Sequence, residues 1–205
     1  MNRPQFVVIA GANGAGKSTL TGGKPGEFAS IPVIDPDAIA RHIQVTQPGL
    51  SDLAAGKEAL SAIAQSMKER SSLIIETTLS GKGYLRMMEK ARASGYFVKL
   101  IYIGTNSVKI NLKRIEDRVA RGLHNVPEVD VRRRYVRSLD NLSVAIELSD
   151  EVFLFDNSEE IGYELIASFA EKRIWWNPVP AWATSLKLQF PDSGAHCSPK
   201  AKGGS

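Results

Sequence analysis

Cysteine is nearly missing from this 205-residue chain: the one present, Cys197, sits in a Ser/Pro/Gly/Lys tail. A disulfide framework and a cysteine-based metal site within one chain are therefore excluded. Long apolar runs are missing too. None approaches the roughly 18 residues that a membrane helix requires, and the short run at 6–10 cannot serve as a signal-peptide core. A cytoplasmic protein that does not bind membranes is the expectation. No internal repeat is visible, and no low-complexity block precedes about residue 191, so solenoid and disordered classes are set aside.

What is present is ordinary globular composition, with 43% hydrophobic and 23% charged residues. The length suits one domain, expected over 1–173, followed by a Trp/Pro-rich extension and flexible tail over 174–205. The net charge of +4 is spread unevenly. Between Lys99 and Arg137 there are ten Lys and Arg against Glu116, Asp117, Glu128 and Asp130. A local basic patch of this kind is more simply a clamp for small phosphates than a nucleic-acid groove.

One stretch carries most of the functional information. The apolar run Phe6-Val7-Val8-Ile9-Ala10 leads directly into Gly11-Ala12-Asn13-Gly14-Ala15-Gly16-Lys17-Ser18-Thr19. This satisfies G-x-x-x-x-G-K-[ST] in the context the pattern requires, a buried strand before it and a helix start after it. Such a loop lets a polyphosphate lie against bare backbone N–H groups at a helix N-terminus. Lys17 would reach the β- and γ-phosphates of ATP, and the Ser18 hydroxyl would ligate the bridging Mg²⁺.

Apolar runs at 6–10, 31–34, 73–75, 97–103 and 152–155 alternate with helical patterns such as Leu60, Ile63, Ala64 and Met67. The pattern predicts an α/β fold, a three-layer, kinase-like P-loop NTPase with a five-stranded parallel sheet and helices on both faces. The helix after Lys17 is expected to be short, because Gly22-Gly23-Lys24-Pro25-Gly26 follows within a few residues. The three tryptophans of Trp175-Trp176-Asn177-Pro178-Val179-Pro180-Ala181-Trp182 are read as a segment packing over an apolar patch, rather than a ligand-stacking platform.

In open parallel sheets ligands bind beyond the carboxyl ends of the strands. The polar residues there are Asp35-Pro36-Asp37, Glu76-Thr77-Thr78, Gly104-Thr105-Asn106 and Asp156-Asn157-Ser158. Phosphoryl transfer needs a carboxylate to accept the proton of the attacking hydroxyl and cations to hold the equatorial oxygens. Asp37 is the expected base. Asp35 and Glu76 are its rivals, for that role or for holding Mg²⁺ through water, and Asp35 serves equally well as a helix N-cap. The cationic candidates are Arg114, Arg118, Arg121, His124, Arg132, Arg133 and Arg134. Arg118 and Arg121 are preferred, because they close a helix before Gly122-Leu123-His124-Asn125, which suits a lid within about 105–140.

The set Gly11–Thr19, Ile34-Asp35-Pro36-Asp37, Ile74-Ile75-Glu76-Thr77-Thr78-Leu79-Ser80 and Arg118, Arg121, Val126-Pro127 resembles the zeta-toxin family of P-loop kinases, in its compact chromosomal ATPase-like branch. The resemblance runs from about Phe6 to Ser158. It implies an ATP- and Mg²⁺-dependent kinase acting on the 3′-hydroxyl of UDP-N-acetylglucosamine, with a separate antitoxin as partner. It also implies Lys17 and Ser18 for ATP–Mg²⁺, Asp37 as base, and Glu76, Thr78 and Glu58 for the amino sugar. Arg118 matches one phosphate-contacting arginine. Where the toxins carry a second, this chain has His124-Asn125-Val126-Pro127, so His124 or Arg121 would substitute. The competing expectations are an ATPase or nucleotide switch without an acceptor, and a polynucleotide kinase.

Overall fold

The structure is a computed structural model, and it describes residues 3–23, 28–35, 39, 52–123, 125–171 and 173–193. Strands β1 (Gln5–Ala10), β2 (Val33–Ile34), β3 (Leu73–Thr77), β4 (Phe97–Gly104), β5 (Glu151–Asp156), β6 (Glu164–Ala170) and β7 (Arg173–Trp176) form one sheet in the order β2-β3-β1-β4-β5-β6-β7. The first five pair in parallel, as the alternation of apolar runs and helices predicts. The sheet has two strands more than that pattern showed: β6 and β7 add antiparallel to the β5 edge. They fall in the segment after Ser158 where no helical crossover occurs, so an antiparallel hairpin is the pairing available to them.

The helices are α1 (Lys17–Gly22), α2 (Asp52–Lys68), α3 (Lys82–Ala93), α4 (Val108–Ala120), α5 (Glu128–Glu147) and α6 (Thr184–Gln189). α1 is short, as expected, and ends against the cap residue Gly23. Side chains alternate across β1, so Phe6, Val8 and Ala10 join the large core with Ile63 of α2, Met88 of α3 and Leu142 of α5. Val7 and Ile9 face the other way into a smaller core with Phe28, Ile31, Ile74 and Ile101, against which Leu20 of α1 packs. On that second face Lys99 is buried, an arrangement that costs free energy unless the charge is matched. Glu151, its parallel neighbour across β4–β5, meets the ammonium at 3.0 Å, and the rings of Phe28 and Phe153 lie 5.2 and 5.8 Å from it.

The tryptophan-rich segment packs rather than stacks on a ligand. Trp176 and Trp182 are buried in the large core. The Trp182 indole lies directly over Gly104, where any Cβ would overlap it, with its ring 5.6 Å from that of Tyr102. Among the described residues no helix is long and apolar enough to cross a membrane.

Candidate nucleotide site

The carboxyl end of β1, the central strand of the parallel group, delivers the loop 11–16. Gly11, Gly14 and Gly16 have φ of 145°, 78° and 109°, values that L side chains rarely adopt. At Gly16 space is decisive as well: a Cβ there would sit 2.6 Å from Asn157 Nδ2 and 3.0 Å from the Tyr163 hydroxyl. Those two groups hold the loop from behind. Asn157 Nδ2 donates to the Ala15 carbonyl at 2.8 Å, and the Tyr163 hydroxyl donates to the Gly16 carbonyl at 2.7 Å. A third neutral donor, Asn111 Nδ2 on α4, takes the Asn13 carbonyl at 2.7 Å.

The consequence follows from peptide planarity. In a trans peptide the C=O and the next N–H point in opposite directions. Carbonyls of Asn13, Ala15 and Gly16 that are tied backward leave the N–H groups of Gly14, Gly16 and Lys17 directed the other way, the arrangement that receives an anion. The donors are themselves braced. Asn111 Oδ1 accepts from Thr105 Oγ1 at 2.5 Å, and the Thr105 carbonyl accepts from Tyr135 at 2.6 Å. Asn157 N–H bonds the Gly104 carbonyl at 2.9 Å, and the Asn157 carbonyl accepts from Arg114 at 2.8 Å. Asp156 accepts from Trp182 Nε1 at 2.7 Å and from Ser158 Oγ at 2.8 Å, which fixes the turn that carries Asn157. Burial raises the pKa of Tyr163, against the lowering effects of a hydrogen bond with Thr19 and of Arg114. Burial also raises that of Tyr135, and both phenols stay protonated donors at neutral pH.

In front of the loop lies a cavity of about 290 Å³, walled by residues of the loop and by Asp35, Glu76, Arg114 and Arg118. The Lys17 ammonium is buried, and it bonds the Ala12 carbonyl at 3.1 Å. Glu76, at the end of β3 and 6% exposed, accepts from Ser18 Oγ at 2.7 Å through one oxygen and from Thr21 Oγ1 at 2.9 Å through the other. A second cavity of about 170 Å³ shares Lys17, Asp35 and Glu76 and is completed by Thr78, Ser80, Tyr84 and Arg134. Its walls are hydroxyl-rich, with Thr78 Oγ1 and Ser80 Oγ 2.9 Å apart.

The structure thus brings together Asn13, Gly14, Gly16, Lys17, Ser18, Thr19, Asp35, Glu76, Thr78, Arg114, Arg118 and Arg134 of the residues singled out from the sequence. Asp37 and His124 lie outside the described residues. Glu58 is exposed on α2 and lines neither cavity. Arg121 caps α4 beyond the loop cavity, lining an outer recess with Arg114, Asp117, Arg118 and Leu123. Sequence reasoning passed over Asn111, Thr21 and Tyr163, and it ranked Arg134 below Arg118 and Arg121. Asn111 had a signal: with Val108, Leu112 and Ile115 it falls on one face of α4, a polar residue on an apolar stripe.

A 2-3-1-4-5 parallel sheet with a phosphate loop on its central strand, and a cleft divided between that loop and a hydroxyl-rich pocket, defines a P-loop kinase. A family model for zeta toxins matches residues 1–167. The chain belongs to the zeta toxin family. An uncharacterized protein of Haemophilus influenzae is 40% identical over 129 residues, which are 63% of this chain and 91% of that protein. Among solved structures, the AvrRxo1-ORF1:AvrRxo1-ORF2 complex with sulfate ions has a TM-score of 0.68 at 15% identity. The likeness covers 96% of this chain and 66% of that one, so this chain spans about two thirds of its length. The PezAT chromosomal toxin–antitoxin system of Streptococcus pneumoniae has a TM-score of 0.64 at 18% identity, covering 94% and 80%. At such identities these two likenesses bear on the fold alone.

Proposed function

We propose that this chain transfers the γ-phosphoryl group of ATP to a hydroxyl of a small molecule, with the 3′-hydroxyl of a UDP-N-acetylamino sugar as the leading acceptor. The observation that carries the reading is the divided cleft. A loop shaped for polyphosphate and a pocket lined by hydroxyls share the same lysine and the same two carboxylates.

Lys17 places its charge on the β- and γ-phosphates. A Mg²⁺ fits the donor set at the mouth of the loop, because Ser18 and Glu76 offer hard oxygens, and such ions are held by few protein ligands together with substrate phosphates. When bound, the ion neutralises charge on the β- and γ-oxygens. Ser18 and Glu76 would hold it, with Glu76 kept in place by Thr21. Asp37 is proposed as the group that takes the acceptor's proton, with Asp35, which lines both cavities, as its rival for that role or for holding Mg²⁺ through water. Thr78 is proposed to hold the acceptor, Arg118 to meet the phosphate, and a separate antitoxin chain to be the protein partner. The AvrRxo1-ORF1:-ORF2 complex has also been solved with ATP.

The test is incubation of the purified chain and Mg²⁺ with γ-labelled ATP and a panel of UDP-sugars, nucleosides and 5′-hydroxyl oligonucleotides. Label on a UDP-amino sugar is the expected result. Label on an oligonucleotide would make this a polynucleotide kinase, and phosphate release with no labelled acceptor would leave an ATPase.

A further inference from the structure

Three consecutive arginines, Arg132, Arg133 and Arg134, open α5, and the structure gives them different surroundings. Arg132 pairs with Glu128 at 2.6 Å and Arg133 with Asp130 at 2.6 Å, both on the helix's own exposed first turns. Arg134 lies on the other side. It is three residues after the buried Val131 and four before the buried Ser138, on the stripe that α5 presents inward.

A cation on an inward stripe is costly unless something of opposite charge meets it. The hydrogen bond that Arg134 makes goes to a neutral group of the phosphate loop, Asn13 Oδ1 at 3.3 Å. The charged groups lining its cavity are Lys17, Asp35 and Glu76. Both Glu76 oxygens already accept hydroxyls, from Ser18 and Thr21. Among the described residues the cavity therefore holds two cations, Lys17 and Arg134, and two carboxylates, Asp35 and Glu76, with both oxygens of Glu76 already engaged by loop and helix hydroxyls.

Asn13 lines the loop cavity and Arg134 lines the hydroxyl-rich one, so the contact between them lies where the two cavities adjoin. On the reading above, that is the place through which the transferred phosphorus passes. We infer that Arg134 is the second phosphate-contacting cation of the site, opposing the developing charge from α5 while Arg118 does so from α4. The inference rests on the proposed phosphotransferase reading. In the step itself the bond from the γ-phosphorus to the ADP oxygen breaks, and its electron pair stays on ADP. The acceptor oxygen bonds to phosphorus and releases its proton to a carboxylate. Charge spreads over the three equatorial oxygens, where a guanidinium fork can take two of them at once.

The experiment uses the full chain and compares wild type with Arg134→Ala and Arg134→Lys. It reads phosphate release from ATP with water as acceptor, and affinity for ADP alone and for ADP with aluminium fluoride, a planar mimic of the transferring group. Arg134→Ala is expected to lower kcat by about 10²- to 10³-fold, the range for losing one preorganised charge-stabilising donor. It should weaken ADP with aluminium fluoride by a similar factor and change ADP affinity by less than about threefold, since ADP lacks the group contacted. Arg134→Lys should recover only part of the loss, because an ammonium lacks the fork. Free guanidinium should restore activity to Arg134→Ala and not to wild type.

Near-normal kcat in Arg134→Ala, or equal losses for ADP with and without aluminium fluoride, would overturn the assignment while leaving the kinase reading intact. A wild-type chain that binds no ADP and releases no phosphate would overturn the nucleotide reading and the role of Arg134 together.

Discussion

The back and the front of the phosphate loop are built from different chemistry. Behind it, Asn111, Asn157 and Tyr163 donate neutral hydrogen bonds to the carbonyls of Asn13, Ala15 and Gly16. In front of it stand the charged groups Lys17, Glu76, Asp35 and Arg118. A carbonyl oxygen repels an anion, so a loop meant for phosphate must dispose of its carbonyls as well as present its N–H groups. Neutral donors do this without adding a charge that would compete with the ligand. The two sides should therefore fail differently when damaged: the front should lose chemistry at constant stability, and the back should lose stability and loop shape first.

The front gives the largest expected effect. Lys17→Ala removes the cation nearest the loop and should lower turnover by about 10²- to 10³-fold, with a clear loss of ATP affinity in calorimetric titration. Its melting temperature should fall little, since only the Ala12 carbonyl loses a donor while the neutral clamps on Asn13, Ala15 and Gly16 are kept. A large drop in melting temperature would erase the distinction drawn here. Glu76→Gln comes next. The amide keeps the shape and one oxygen for Ser18 or Thr21, but the charge that would hold Mg²⁺ is gone. Activity should fall by about 10- to 100-fold, as for outer partners of metal sites, and should recover partly as Mg²⁺ is raised. Loss that is indifferent to Mg²⁺ would remove Glu76 from the metal's surroundings.

Behind the loop, Asn157→Ala strips the Ala15 carbonyl of its donor and leaves a buried acceptor unmet. The cost is about 1–3 kcal/mol of stability. In a chain of this size that lowers the melting temperature by about 2–4 °C per kcal/mol. KM for ATP should rise more than kcat falls, because the loop binds less well once its shape is free to vary. An effect on kcat alone would place Asn157 with the front.

These two sides also differed in how far they could be read from the chain. The front was legible because it is local: nine consecutive residues specify the loop, and the carboxyl ends of strands are where Asp35, Glu76 and Thr78 had to fall. The back was not, because its donors come from about 100 to 150 residues away in sequence, and nothing near Asn111 or Tyr163 points to the Asn13 or Gly16 carbonyl of the loop after β1. Arg134 was ambiguous for a different reason. Three adjacent arginines step around a helix by about 100° each, and only the exact helix phase decides which turns inward. The β6–β7 hairpin was missed because its turn carries Glu171 at φ 49°, where Gly or Asn is the usual signal. Trp182 was read as packing, and the core confirms it, but its bond to Asp156 links that packing to Asn157 and so to the loop.

The finest test of the contrast is Tyr163→Phe, which deletes one hydroxyl and keeps the ring. The lost bond to the Gly16 carbonyl should cost about 0.5–1.5 kcal/mol. Its pH dependence is the sharper signature. Burial holds the phenol's pKa in the folded protein above the usual tyrosine value of 10.0, so the folded state binds that proton more tightly than the unfolded chain does. The stabilisation is then fully present below pH 10 and is lost as the pH rises through the folded pKa. The gap in melting temperature between wild type and Tyr163→Phe should be constant from pH 7 to 9 and should narrow above 10. Both proteins should still lose stability there, because Tyr102 and Tyr135 are shifted upward by burial as well. A gap that stays constant to pH 11 would mean that the phenol proton is not what holds Gly16, and that the back of the loop is secured by Asn111 and Asn157 alone.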